Sequence, residues 1–324
     1  MAGKSVLMEK YLTADIVDYQ QYKAREVKKG FTEGSIFGGQ FVGQAISVAQ
    51  TTVPEDFYLN SFHGTFLSLG ENKKPLQWKV NFLRDGFATC TRFVEAYQMR
   101  GLGKNATPET VFSALLSFCI GKEDPKATLR HQDKMPEVEG PETLKTSREL
   151  LDELIQRRTD LSEEKRQQIL GNSRVYIPDD HFDTRPVDVK PFSGVQSDEA
   201  VFRIWIKCTD QLDNEWRTQH SVLGFVSDSV MLVTAIGHHL EAREKAAGGA
   251  FSASLDHSIW IHEPQLRVDD WLLYELRSPK ADHGRCLVHG KFWTKEGVLV
   301  ASTAQEGALK LNLKAPLKGK LVTK

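Results

Sequence analysis

Ser252–Pro264 reads SASLDHSIWIHEP. β-Branched and aromatic residues, no internal glycine and a proline only at the end make it a strand. Successive strand side chains alternate faces, so Ser254 and Asp256 are placed on one face and Leu255 and His257 on the other. A strand with Ser, Asp and two His amid apolar residues is costly to bury without partners. Taken alone, it reads as an edge strand with a solvated polar face. The flanking sequence gives it another setting.

Upstream, Phe225–His238 reads FVSDSVMLVTAIGH, with Asp228 just ahead of an almost wholly apolar run. Gln219–His238 is read as one apolar helix. Downstream, Val298–Gly307 reads VLVASTAQEG and carries Gln305 on a small, β-branched strand. Further strands are read at Pro186–Pro191, Ala200–Cys208, Ala253–Ile261, Trp271–Arg277, Arg285–Thr294 and Val298–Leu309. Glu296-Gly297 forms a hairpin turn between the last two.

The same order occurs nearer the start. A short strand or helix is placed around Ala14–Tyr22. Gly34–Gly39 leads into Gln40–Val53, where Phe41, Ala45, Ile46, Val48 and Ala49 recur at helical spacing, and Pro54 ends the helix. So much of its circumference is apolar or small that it belongs inside rather than on a surface. The glycines lack the spacing of a phosphate loop. Strands follow at Leu59–Leu67, Leu76–Phe82, Thr89–Gln98 and Glu109–Ile120, punctuated by turn residues. A helix followed by strands with no helix between them implies an antiparallel sheet packed on that helix.

An internal repeat follows. Superimposing Phe37 on Phe225 sets Gln40 against Asp228. Superimposing His63 on His257 sets Asn60 against Ser254. The closing strands set Cys119 against Gln305, with a spacing difference of about eight residues left to the Gly101–Pro108 loop. Between the repeats, Lys122–Arg148 is polar and proline-bearing, a linker or irregular crossing segment. Thr146-Ser-Arg-Glu149 fits a capping box, and Leu161–Leu170 a second short helix. The expected division is 1–122, a linker with short helices over 123–171, and 172–324 with the chemistry.

Composition narrows the function classes. The 324 residues are 40% hydrophobic and 26% charged, with a formal net charge of −1, so no long-range attraction to nucleic acid or anionic membrane exists. No apolar run is read as long enough to span a bilayer, and MAGKSVLMEKYL lacks a secretory apolar core. The four cysteines, Cys90, Cys119, Cys208 and Cys286, show no CxxC spacing. They are read as small buried apolar residues. His238, His239, His257 and His262 do not form a metal set, since His257 and His262 fall on opposite strand faces and nothing completes a ligand group. No GxSxG elbow surrounds any serine.

SDSVMLVTA, SLDHSIWIH and GVLVASTAQEG resemble the acyl-CoA thioesterase II family, the TesB-like double-hotdog enzymes. The likeness extends to IFGGQFVGQAI (Ile36–Ile46), FHGTF (Phe62–Phe66) and LRDGFATCTRFVEAYQ (Leu83–Gln98), from about Phe31 to Lys310 in family order. The resemblance implies an α+β fold, two helix-wrapped antiparallel sheets fused in one chain. It also implies hydrolysis of medium- or long-chain fatty acyl-CoA without cofactor or metal, by a homo-oligomer, dimer or higher. Eukaryotic members are often peroxisomal, yet Leu-Val-Thr-Lys324 is not an S-K-L type signal; peroxisomal matrix or cytoplasm is the expectation.

The family trio of Asp, Ser/Thr and Gln falls on Asp228, Ser254 and Gln305. Thioester hydrolysis needs an activated water and a donor for the developing oxyanion. Asp228, read at the front of the second helix, serves as base or orients the water. Ser254 can donate and accept, as can the Gln305 amide. Backbone N–H groups at a helix start suit the oxyanion. Each residue alone has a plainer use: Asp228 as a helix N-cap, Ser254 as a strand-edge hydroxyl, Gln305 as a surface amide. His63 is expected to be structural or near the junction of the halves. A non-catalytic acyl-CoA-binding protein remains the alternative, and a CoA-release assay separates the two. Enoyl-CoA hydration would need a His a few residues from Asp228, and the next one is His238.

Overall fold

The computed structural model describes residues 5–30, 32–101, 105–121, 129–157, 162–163, 181–190, 196–239, 242 and 250–311. Two short strands, β1 (Ala14–Asp18) and β2 (Gln21–Ala24), precede helix α1 (Gly38–Gln50). Then come β3 (Phe57–Phe66), β4 (Gln77–Asp85), β5 (Thr89–Arg100) and β6 (Thr107–Ile120). Helix α2 (Ser147–Arg157) separates these from β7 (Phe182–Pro186) and β8 (Val201–Cys208). Two helices follow, α3 (Trp216–Ser227) and α4 (Met231–Gly237). The described chain closes with β9 (Ala250–Ser254), β10 (Asp256–Ile261), β11 (Leu272–Asp282), β12 (Arg285–Thr294) and β13 (Leu299–Leu311).

The strands form one antiparallel sheet in the order β1-β2-β4-β5-β6-β3-β10-β13-β12-β11-β8-β7, with β9 also on β13. Outward from the centre, β3-β6-β5-β4-β2-β1 matches β10-β13-β12-β11-β8-β7. The repeat is therefore present as topology, and the layout is the double hotdog. The two halves join through β3 and β10, where His63 pairs with Ser258 and Phe62 with Ile259. His63 lies on the exposed face of this seam, its Nδ1 3.0 Å from Ser258 Oγ and its ring edge-on to Trp260.

On the other face α1 and α3 pack together inside a core shared by both halves. Glycine sets how closely they approach. A Cβ on Gly43 would lie 2.6 Å from the Ser221 carbonyl oxygen, and one on Gly39 only 2.1 Å from that of Phe225. On α3, a Cβ at Gly224 would stand 2.6 Å from Ile46 Cδ1. Trp216–Gly237 is long and apolar enough to cross a bilayer by length and composition, contrary to the sequence reading, but it is mostly enclosed by protein.

Three elements differ from expectation. The helix read as Gln219–His238 is two, broken at 228–230. There the Ser227 hydroxyl donates back to the Gly224 carbonyl, a local side-chain bond that competes with the helical ladder, and the Asp228 carboxylate turns inward to Ser254. The strand placed at Pro186–Pro191 lies at Phe182–Pro186 instead. Beyond it, Asp188 accepts from the Arg203 backbone N–H and guanidinium and draws the chain off the ladder. The strand read at Ala253–Ile261 is two, β9 and β10. The irregular crossing segment lies against the sheet of the second half. Met135, Val138 and Leu144 pack on Trp205, Leu273 and Trp293, and the Trp205 indole donates to the Glu139 carbonyl at 2.8 Å.

The capping box forms as read, with Thr146 N–H donating to Glu149 and Glu149 N–H to the Thr146 hydroxyl. The helix read at Leu161–Leu170 lies outside the described residues but for 162 and 163, and both domain boundaries, near 122 and 171, also lie outside them.

Gly43→Ala tests the helix contact. On an exposed helix this change would add roughly 1 kcal/mol through propensity. Here overpacking against a backbone oxygen wins, and a loss of about 1–3 kcal/mol is expected in denaturant unfolding.

Candidate active site

The site begins with a defect in the strand alternation. Ser254 pairs with Gly307 in β9–β13, and Ser258 pairs with Ala304 in β10–β13. The 254–258 side has one residue more than its partner, a β-bulge at Leu255–Asp256. Leu255 N–H donates to the Glu306 carbonyl, and Glu306 N–H donates to Asp256 Oδ1 at 2.8 Å, so the bulge keeps its polar groups satisfied. Strict alternation had put Ser254 and His257 on opposite faces. The extra residue lets both reach Gln305.

Gln305, fully buried on β13, bridges them. Its Nε2 lies 2.8 Å from Ser254 Oγ and its Oε1 2.5 Å from His257 Nδ1. Ser254 Oγ is 3.4 Å from Asp228 Oδ1. On its far side the His257 ring meets the Ser227 hydroxyl through Nε2 at 2.8 Å. Behind Ser227, the buried Tyr274 hydroxyl donates to the Ser227 carbonyl and lies 2.9 Å from Thr303 Oγ1.

Asp228 is not at the front of a helix. It directly follows the last residue of α3. The helix start that faces it belongs to α1, in the other half: Gly39 N–H donates to its carboxylate. A Cβ at Gly38 would stand 2.5 Å from Asp228 Oδ2, so glycine admits the carboxylate there without displacing it. Asp228 does not cap the helix that follows it, as weighed from sequence; the N–H it accepts belongs to the helix of the other half. Neither half holds the site alone.

Burial raises the Asp228 pKa above the ordinary carboxylate value, against the opposing pull of His257, Gln305, Ser254 and Gly39. Burial likewise lowers the His257 pKa, opposed by Asp228 and the Gln305 bond. Asp228 is thus moved toward the range where a general base works best.

The structure brings Asp228, Ser254 and Gln305 together. It does not bring together their assigned counterparts. Gln40 is a buried latch, accepting from Lys28 N–H and donating to the Tyr11 and Glu26 carbonyls. Asn60 is exposed, and Cys119 lies on β6 opposite Tyr58. Matched by helix ends, the residue corresponding to Asp228 is Thr51, which follows α1. Beside it Thr52 holds the buried Arg92 guanidinium, which also pairs with Asp85 at 2.6 Å. The earlier superposition fails because Gln40 opens a helix while Asp228 follows one.

Sequence reading missed His257, Ser227 and the Gly38-Gly39 approach as parts of the site. The signals were a histidine inside SLDHS and a glycine pair beside a buried helix. Among the described residues no three His, Cys, Asp or Glu side chains gather as metal ligands would. Burial raises the thiol pKa of Cys208 to about 12 and of Cys286 to about 11, which leaves both unreactive.

Two family profiles match: the acyl-CoA thioesterase N-terminal domain over residues 27–119 and the C-terminal domain over 160–309. Acyl-coenzyme A thioesterase 8 of Homo sapiens is 32% identical over 309 residues, covering 95% of this chain and 90% of that protein. The chain belongs to the acyl-CoA thioesterase family. Peroxisomal acyl-coenzyme A thioester hydrolase 1 of Saccharomyces cerevisiae is 26% identical, covering 84% of each chain. The solved acyl-CoA thioesterase II TesB2 of Mycobacterium marinum superimposes with a TM-score of 0.69 at 28% identity, over 94% of this thioesterase and 98% of that chain.

Asp228 also makes a stability prediction. With its pKa raised in the folded state, the native protein binds a proton that the unfolded chain has released. Stability from this group therefore falls as pH rises from the ordinary carboxylate value through the raised one, and the penalty is complete above it. Asp228→Asn keeps an acceptor for Gly39 N–H and removes the buried charge. Its Tm at pH 8 should exceed wild type by about 1–3 °C, with the gap closing toward pH 4 in a scanning calorimetry series.

Proposed function

We propose that the chain hydrolyses medium- to long-chain fatty acyl-CoA to free fatty acid and CoA, using a water activated by Asp228 and held with Ser254 and Gln305. The supporting observation is the convergence of Ser254 and, through it, Gln305 on a buried carboxylate that faces the first turn of α1. In this reading Asp228 takes a proton from water as the oxygen attacks the thioester carbonyl carbon. The resulting oxyanion is met by the Gly38 N–H at the start of α1, since Gly39 N–H is held by Asp228 and Gln40 N–H by the Phe37 carbonyl, and the helix dipole adds positive potential. Collapse breaks the carbon–sulfur bond, and the CoA thiolate leaves with the proton that Asp228 holds.

The remaining readings follow the same line. The chain divides as 1–122, 123–171 and 172–324, with the first half supplying the helix start. Trp260 and Leu115 stay exposed around His63 on the outer face of the seam, where a second copy would pack into a dimer or higher homo-oligomer. Sedimentation velocity tests this. The peroxisomal matrix or the cytoplasm is the proposed compartment, the former supported by the name of the yeast relative.

Release of CoA, followed with a thiol reagent, tests the reaction. Asp228→Asn should lower the rate by roughly two to four orders of magnitude, the usual worth of a general base, while Cys119→Ser stays near wild type. Activity of Asp228→Asn near wild type would reject the assignment. Affinity should climb with acyl length by about 0.8 kcal/mol per buried CH₂, so decanoyl-CoA should be preferred to acetyl-CoA. Equal turnover of the two would count against the chain-length reading.

A further inference from the structure

His257 has no step in the hydrolysis just described, yet it is fully buried and both ring nitrogens are engaged. The groups around it form a chain: Ser227, His257, Gln305, Ser254, Asp228. Such a chain can run in either of two directions. In one, Nδ1–H donates to Gln305 Oε1, Gln305 Nε2–H to Ser254 Oγ, and Ser254 O–H to Asp228. In the other, the ring carries its proton on Nε2, the amide is reversed, and Ser254 donates to Gln305. Asp228 then receives no donor from Ser254, and the contact survives only if Asp228 carries a proton and donates it to Ser254 Oγ.

Only the first direction ends with a donor at an ionised Asp228. The Gln305 orientation, with Oε1 toward the ring, is the one that fits it, because a carbonyl oxygen only accepts. Nε2 is then bare and must be met by a donor. Ser227 supplies it by giving Nε2 the single hydroxyl proton that it otherwise donates to the Gly224 carbonyl 2.9 Å away. The two ends of a glutamine amide have nearly the same shape, so packing alone cannot choose between them. The ring proton can.

We propose that His257, held as a neutral ring protonated on Nδ1, is a positioning residue that sets the direction of the hydrogen-bond chain ending on Asp228. This rests on the reading of Asp228, Ser254 and Gln305 as the hydrolytic group. The titratable groups around the ring are Asp228 after α3, Asp256 on its own strand and Tyr274 on β11; β13 offers neutral Gln305 and Thr303. Asp256 is occupied by Glu306 N–H, which leaves Asp228 as the carboxylate at the far end of the chain.

Two experiments test it. In ¹⁵N-histidine-labelled wild-type protein at neutral pH, the His257 signals, assigned by their loss in a His257 variant, should show a protonated Nδ1 and a bare Nε2. Among variants, asparagine places an amide nitrogen where Nδ1 sits, whereas glutamine places one where Nε2 sits. His257→Asn should keep kcat within about threefold of wild type, while His257→Gln and His257→Phe lower it roughly 10- to 100-fold with KM little changed.

The acid limb of the pH profile should move to higher pH in His257→Gln and His257→Phe, because Asp228 loses its donor, and should stay in place in His257→Asn. A ring protonated on Nε2 alone, or equal losses in all three variants with an unmoved acid limb, would overturn the proposal. Where a variant does not fold, the ring signals of the wild type decide. An active Asp228→Asn overturns the underlying site reading, whereas an inactive Asp228→Asn beside an unaltered His257→Gln overturns this proposal alone.

Discussion

The contact between α1 and α3 is the constraint on which the rest of the structure depends. Gly39, Gly43 and Gly224 let two backbones meet at distances no side chain could share. Because they meet there, the first turn of one half comes to rest on the carboxylate that follows the helix of the other. Burying a carboxylate costs several kcal/mol even after relaxation. A helix end returns at most about 2 kcal/mol, and the bonds from Gly39 and Ser254 add to it. The compensation is incomplete, which is why Asp228 sits with a raised pKa rather than a lowered one. A surface carboxylate would be cheaper and a weaker base.

Much of this fold was legible because its signals are local. Alternation and turn residues located β3 to β6 and β10 to β13 within a few positions, and the Thr146–Glu149 capping box formed as written. The trio Asp228, Ser254 and Gln305 came from resemblance rather than from pattern. What stayed hidden depends on register. The apolar run continues through Asp228 because α3 and α4 are both buried, so nothing in the periodicity marks the break. The repeat was visible as an order of elements but not as a residue match. Helix ends define equivalence, and the similar Phe37 and Phe225 lie at opposite ends of theirs. His257 was passed over because its partner, Gln305, is distant in sequence, and because only the bulge brings Ser254 onto the face the two share.

The two halves differ at the ends of their central helices. After α3 comes a buried carboxylate held by neutral donors; after α1 come Thr51 and Thr52, with the buried Arg92 paired to Asp85. One end is left short of compensation and the other is fully compensated. In the first half the Gln40 and Gln44 amides tie the N-terminal segment to α1 through backbone carbonyls. These bonds hold the helix start that faces Asp228.

The bulge at Leu255–Asp256 carries a different kind of consequence. Most changes to a protein surface are graded, since one side chain replaces another and its neighbours adjust. A change in the number of residues between two paired strands is discrete. It exchanges the inward and outward sets for everything on one side of it. Seen so, the pairing of Ser254 with His257 is a matter of parity. Substitutions along β9 and β10 can tune the site, but only a gain or loss of a residue can create or dissolve it.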